Sequence, residues 1–238
     1  VNPPSTRVEQ VRAHDGGSFS AHLTLPPAGQ GPGVLLIHEI SGVNDYIEHV
    51  AARLAELGYV VLAPDLFWRI DPDHPYPMDE KGLEAALERV ARLDVPEAVR
   101  DADAALAHLS RLPEVVGGVA VLGFCLGGTI AFGVGLRSEP DAVVSYYGSG
   151  VPDLVADPER LASLDCPVLL HFGTEDPYIP MERVEQVRAA LADRPGVELH
   201  LYEAGHAFDN PAPMFHNPEA AERAWGVTAD FLRRVLAS

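Results

Sequence analysis

The sequence predicts an α/β fold: a mostly parallel central sheet that begins with an antiparallel hairpin at the N-terminus and carries helices on both faces. Three observations predict it. Six short segments read as apolar strands, the pattern of a largely parallel sheet covered by helices. Stretches of helical length separate them, which is how parallel strands are joined. The first two strand-like segments alternate apolar with polar residues, the pattern of a hairpin with one solvated face.

Residues 7–13 and 19–25 are the two arms of that hairpin, joined by His14-Asp-Gly-Gly-Ser18. The continuous apolar strands follow at residues 34–38, 59–63, 119–122, 142–146, 168–172 and 198–202. Helices are expected at about residues 45–57, 80–93, 96–111, 125–137, 152–163, 181–193 and 218–236. Asp94-Val-Pro96 separates the second of these from the third, since proline suits the first turn of a helix. Residues 64–79 hold four of the 21 prolines and several aromatics, and are expected to form a long functional loop over the strand ends. With 238 residues, 47% of them hydrophobic, the chain has enough for one sizeable core and too little for two, so a single domain over residues 1–238 is expected.

Composition excludes several classes of partner. Seventeen basic against 35 acidic side chains give a formal charge of -18, which repels nucleic acid and anionic membrane surfaces. No apolar run reaches the roughly 18 to 20 residues that span a bilayer, and Val1-Asn-Pro-Pro-Ser-Thr-Arg7 has no apolar signal core. A cytoplasmic protein, monomeric or a small homo-oligomer, is expected. Cys125 and Cys166 are too far apart to suggest a disulfide framework or a paired-cysteine metal site, and Cys166, just before Pro167 and an apolar strand, suits packing. His200 and His206 are six apart across a strand end, and His14, His22, His49 and His216 form no ligand spacing, so no metal is expected. Gly123-x-x-x-Gly127-Gly128 is not the Gly-x-Gly-x-x-Gly fingerprint, and no acidic residue ends the next strand, so no dinucleotide or other cofactor is expected.

The chemistry starts at Cys125. Gly123 and Gly127 flank it with the spacing of a nucleophile elbow, at the junction of an apolar strand and a helix. The helix dipole and the free N–H groups of a first turn favour a thiolate there. A thiol nucleophile needs a base, and His206, in Glu203-Ala-Gly-His206-Ala-Phe208, follows the last predicted strand at the end where sites in open α/β sheets form. An acid that orients the imidazole is expected from Gly173-Thr-Glu-Asp176-Pro177, after the preceding strand, with Asp176 favoured and Glu175 the competitor. The order nucleophile, acid, histidine is that of the α/β-hydrolase fold. Such a site also needs two oxyanion donors: the N–H after the nucleophile, from Leu126, and one from an earlier strand-end loop, from Ile40 in His38-Glu39-Ile40-Ser41-Gly42-Val43-Asn44. Glu39 is the odd member, because a carboxylate at the end of an apolar strand must be paired or perturbed.

Gly123-Phe-Cys-Leu-Gly-Gly128, His38-Glu-Ile-Ser-Gly-Val-Asn44, Gly173-Thr-Glu-Asp176 and Gly205-His-Ala-Phe208 resemble the signature blocks of the dienelactone hydrolase family, over about residues 34 to 210. The resemblance implies an α/β-hydrolase fold, a triad of Cys125, Asp176 and His206, and an oxyanion hole of Ile40 and Leu126. It also implies that Glu39 contacts the thiol and helps form the thiolate when substrate arrives. Family members hold a substrate carboxylate with two arginines. Arg69, in Leu66-Phe-Trp-Arg69, could fill the first position, but Asn210 stands where the second is expected and Ala207 where a serine is expected. Substrate contacts are accordingly expected from Arg69, Trp68, Phe208 and Asn210, with an Asn unable to supply the charge and donor fork of an arginine.

The expected activity is hydrolysis of a small-molecule lactone or activated ester through a thioester. The alternatives are a broader carboxylesterase or thioesterase, and a non-catalytic binding or redox-sensing protein that keeps a reactive thiol on the same fold.

Overall fold

A computed structural model describes residues 5–236. The chain runs β1 (Ser5–Arg12), β2 (Ser18–Leu25), β3 (Gly31–Ile37), α1 (Asp45–Glu56), β4 (Val60–Pro64), α2 (Glu80–Val90), α3 (Val95–Leu109), β5 (Val115–Phe124) and α4 (Leu126–Gly135). It continues through β6 (Ala142–Tyr146), α5 (Val151–Val155), α6 (Pro158–Leu161), β7 (Val168–Gly173), α7 (Met181–Leu191), β8 (Val197–Tyr202) and α8 (Pro218–Leu236). The eight strands form one sheet in the order β1-β2-β4-β3-β5-β6-β7-β8. β1 and β2 pair antiparallel, as do β2 and β4, and every other pairing is parallel.

The parallel strands β4, β6 and β7 are buried along their whole length, which the continuous apolar runs require. α4 and α8 both pack on β5 and β6 but not closely on each other, so they cover opposite faces. α8 buries Ala220, Ala224, Thr228 and Phe231, a stripe at helical spacing, whereas α4 is buried all round. Polar caps start the helices where the chain leaves the sheet. Asn44 accepts from the Ile47 N–H at 3.2 Å, Asp79 from Gly82 at 2.8 Å and Asp94 from Glu97 at 2.9 Å.

Most boundaries shift by one to three residues from the sequence reading, and two differences are larger. β5 begins at Val115 because that residue pairs with Gly31, so the strand extends through a Gly-rich, half-exposed stretch that has no apolar pattern. The helix expected over residues 152–163 is two short ones, because Asp157 caps a new helix whose first residue is Pro158. Residues 65–79 contain no helix or strand, as expected of a long loop. Among the described residues no helix is long and apolar enough to cross a membrane.

The chain passes from β3 to β4 on one side of β3 and returns to β5 on the other. The carboxyl ends of β3 and β5 therefore flank the topological switch point, where open α/β sheets leave a crevice.

Candidate active site

Cys125 occupies that crevice, between β5 and α4, with φ 54° and ψ -116°. A non-glycine residue holds such a backbone only where its surroundings enforce it. Enforcement comes from close backbone approach: a Cβ on Gly123 would strike the Gly127 carbonyl, and one on Gly127 would strike the carbonyls of Ile37 and His38 at the end of β3. The Cys125 N–H is tied to Tyr146 O at 2.9 Å, which fixes the elbow to β6.

Asp176 follows β7 and His206 follows β8. His206 Nε2 lies 3.0 Å from Cys125 Sγ, and Nδ1 lies 2.7 Å from Asp176 Oδ2. The other carboxylate oxygen accepts from the Tyr178 N–H at 2.8 Å and the Ile179 N–H at 3.2 Å. With Asp176 acting as acceptor, Nδ1 carries a proton and Nε2 faces the thiol. Burial lowers the basicity of His206, but its bonds to Asp176 and Cys125 outweigh that and raise its pKa to about 10. The ring sits between Tyr147 and Tyr178, with centroids 5.3 Å and 5.0 Å away. Glu175, the competing carboxylate, has no hydrogen bond to His206.

The Leu126 N–H opens α4 and the Ile40 N–H lies in the loop after β3; neither donates to another group among the described residues. Glu39 is buried, and its Oε1 accepts from Asn210 Nδ2 at 2.9 Å. Its carboxyl is hydrogen-bonded to Asn210 and not to the Cys125 thiol, so the thiol contact implied by the family resemblance is not formed here. Burial pushes the Glu39 pKa up to about 7, against the Asn210 bond and the nearby His206. Asn210 Oδ1 in turn accepts from the Ala212 N–H at 2.9 Å, and its Nδ2 lies 3.9 Å from Met78 Sδ. Met78 lines an open cleft of about 560 Å³ together with Asn44, Tyr46, Tyr76 and Pro211.

The expected substrate contacts fare differently. Asn210 is in the site, as a support for Glu39. Phe208 is fully buried among Tyr146, Tyr147 and Tyr202, so it lies under the site and not in its lining. Trp68 stacks on Phe19 with centroids 5.5 Å apart and donates from Nε1 to Asp101 at 2.8 Å. Arg69 forks onto Asp101 through Nε and Nη2, both at 2.9 Å, and reaches Asp15 through Nη1 at 2.6 Å. Both residues are thus directed to the hairpin turn and α3. His14, Glu97 and Asp101 lie close enough together to suggest a metal, but Arg100 already pairs with Glu97 and Arg69 with Asp101, which makes the group an ion-pair network. Cys166 is half-buried, and burial pushes its thiol up to about 11, in keeping with a packing role.

Tyr147 is a site residue that the motifs did not indicate. It follows β6 directly, between the two strands that carry Cys125 and Asp176, and adopts φ 39°. Its buried hydroxyl has no partner among the described residues, and burial pushes the phenol pKa well up. A position immediately after a central parallel strand was the available signal.

Strand order, elbow and strand-end histidine define an α/β-hydrolase. The model of the dienelactone hydrolase family matches residues 19–236, and the chain belongs to that family. It is 36% identical to a carboxymethylenebutenolidase of Pseudomonas sp. (strain P51) over 94% of each chain, and 30% identical to that of Pseudomonas putida over 93% of this chain and 94% of the other. Among solved structures it resembles a dienelactone hydrolase-like promiscuous phosphotriesterase from metagenomic libraries, with TM-score 0.79 and 26% identity over 97% and 99% of the two chains. A dienelactone hydrolase from Anabaena variabilis ATCC 29413, 20% identical with TM-score 0.72 over 99% and 100%, shares the fold.

Proposed function

We propose that this chain is a carboxylic-ester hydrolase of the dienelactone hydrolase type that cleaves a lactone or activated ester through a thioester on Cys125. The observation that carries the reading is the continuous line from Asp176 Oδ2 through His206 to Cys125 Sγ, at 2.7 and 3.0 Å. Cys125 attacks the carbonyl carbon with its proton held on His206 Nε2, whose raised basicity keeps it there. The charge that develops on the carbonyl oxygen falls to the free N–H groups of Ile40 and Leu126. Collapse of the adduct expels the enolate or aryloxide, which takes the proton from His206 and leaves the thioester. His206 then removes a proton from water, the water attacks the thioester, and acid and thiol are released.

Leaving-group chemistry narrows the substrate. A thiolate is itself a good leaving group, so an adduct with a simple alkoxide reverts, whereas an enolate or aryloxide departs first. Enol lactones and aryl esters meet that condition. An acyl group without a carboxylate fits best, because Asn210 donates to Glu39 and Arg69 is bound to Asp101 and Asp15.

Intact-mass analysis during turnover of an aryl acetate tests the mechanism. One acetyl group on Cys125 is expected, with loss of both the adduct and turnover in Cys125→Ala. Retained turnover in Cys125→Ala excludes the mechanism, and alkylation of the thiol without any acylation supports the non-catalytic alternative. Turnover of an enol lactone with and without a carboxylate then reads the specificity.

A further inference from the structure

Leu126 lies at the start of a helix, whereas the second oxyanion donor, Ile40, lies on a loop that must be held in place. Three successive carbonyls of that loop are engaged. Glu39 O accepts from His38 Nδ1 at 2.7 Å and from the Gly42 N–H at 3.3 Å, Ile40 O from Arg89 Nη2 at 3.1 Å, and Ser41 O from the Tyr76 N–H at 2.8 Å. The first of these contacts matters most for the donor. The Glu39 carbonyl and the Ile40 N–H are the two ends of one trans peptide and point in opposite directions, so the group that fixes the carbonyl also aims the N–H.

That group is a fully buried imidazole. His38 stacks on Phe67 with centroids 5.1 Å apart, and its Nε2 accepts from the Leu66 N–H at 3.1 Å. A backbone N–H only donates and a carbonyl only accepts, so both bonds demand the same neutral ring, with the proton on Nδ1 and the lone pair on Nε2. Burial lowers the His38 pKa, the charges of Asp65 and Arg89 pull it in opposite directions, and the neutral form is the one the two bonds need. Leu66 belongs to the loop after β4, so His38 joins the ends of two adjacent parallel strands.

We infer that His38 is a positioning residue for the oxyanion hole: locked by the Leu66 N–H, its Nδ1–H sets the plane of the Glu39–Ile40 peptide and so aims the Ile40 N–H at the reacting carbonyl. The inference rests on the reading of Ile40 as an oxyanion donor. His38 touches no reacting atom and acts only through the backbone.

Two reactions of the same thiol separate positioning from general damage. Acylation by an aryl acetate builds an oxyanion, and alkylation by iodoacetamide at a saturated carbon does not. In His38→Leu, acylation is expected to slow on the order of 10- to 100-fold, with KM and the alkylation rate each within about 2-fold of wild type. His38→Gln, which keeps one N–H donor and one acceptor, is expected to recover the acylation rate to within about 5-fold of wild type. Acylation in His38→Leu at the wild-type rate, a parallel fall in alkylation, or no recovery in His38→Gln would each overturn the inference. His38→Leu also removes two buried hydrogen bonds, and for the case in which it fails to fold, imidazole ¹⁵N shifts of the wild-type protein provide a second measurement. They are expected to show a neutral, Nδ1-protonated ring from about pH 5 to 9, and an Nε2-protonated or titrating ring overturns the inference. Absence of any acyl-enzyme in the wild type overturns the ester-hydrolase reading instead, and so the two failures are distinguishable.

Discussion

Asp101 and Asp176 are both buried aspartates that accept three hydrogen bonds, yet one ends an ion pair and the other begins a line to a thiol. Asp101 takes Trp68 Nε1, Arg69 Nε and Arg69 Nη2; Asp176 takes the N–H groups of Tyr178 and Ile179 and His206 Nδ1. Satisfying a buried carboxylate is necessary in both places and distinguishes neither. The difference lies in the partner's far side. Arg69 keeps its proton at any working pH and gives a further donor, on Nη1, to Asp15, whereas His206 presents a second nitrogen to Cys125 and can exchange a proton there. The proposed mechanism accordingly runs through the carboxylate whose partner can change charge.

Asp176→Asn attacks that difference with the largest expected effect. An amide supports the imidazole without favouring its charged, correctly oriented form, so kcat is expected to fall on the order of 10³- to 10⁴-fold. The same change alters the pH dependence of stability. The folded pKa of His206 is raised to about 10, so its contribution is fully present below the unfolded value near 6.5 and is lost as pH rises through the folded one. Unfolding midpoints at about pH 6 and pH 10 are expected to differ less in Asp176→Asn than in wild type. An unchanged difference, or a rate loss below 10-fold, would assign the orientation of His206 to another group.

Glu39→Gln comes next, and its main readout is stability. Burial has raised the folded carboxyl to about 7, so the folded chain holds that proton longer than the unfolded chain, and stability drops as pH climbs from about 4.5 through 7. The amide keeps an acceptor for Asn210 and cannot ionise. The variant is expected to be more stable than wild type by on the order of 3 kcal/mol at pH 8 and no different at pH 4. Urea unfolding at the two pH values reads it, and equal pH slopes in both proteins would show that Glu39 is not the group titrating. Since Glu39 bonds to Asn210 and not to the thiol, kcat is expected to fall far less than in Asp176→Asn.

What the sequence revealed and what it hid follow from the range of the interactions. Continuous apolar runs reveal buried parallel strands because both faces are covered, and Gly123 and Gly127 reveal the elbow because backbone carbonyls leave no room for a Cβ. His206 and Asp176 were legible as strand-end residues because strand ends are where this fold opens. The bond between Glu39 and Asn210 joins residues 171 apart, and no local pattern encodes it. The break at Asp157-Pro158 is a local signal, an N-capping aspartate followed by a proline in the first turn. His38 opens the His38–Asn44 block, but nothing within that block marks its role, which depends on the Leu66 N–H arriving from the next strand's loop. The contacts of Arg69 are hidden for the same reason: its partners come from the hairpin turn and from α3, 54 and 32 residues away.

Arg69→Met is the smallest perturbation of activity and the sharpest test of the contrast between the two aspartates. Arg69 holds Asp101, whose side chain is 1% exposed, and loss of the guanidinium leaves that carboxylate with only the Trp68 donor. An unpaired buried charge is costly, but Arg69 is itself 29% exposed and solvent moderates the loss, so a destabilisation of about 2 kcal/mol is expected. Adding Asp101→Asn removes the stranded charge and is expected to restore part of that stability, a coupling that a double-mutant cycle measures. kcat/KM for a carboxylate-free aryl ester is expected to stay within about 2-fold of wild type, because an arginine already committed to Asp101 and Asp15 is not free to bind substrate. A rise in KM confined to carboxylate-bearing substrates would show that Arg69 leaves its aspartates during turnover, and the separation between the two clusters would then hold only in the resting enzyme.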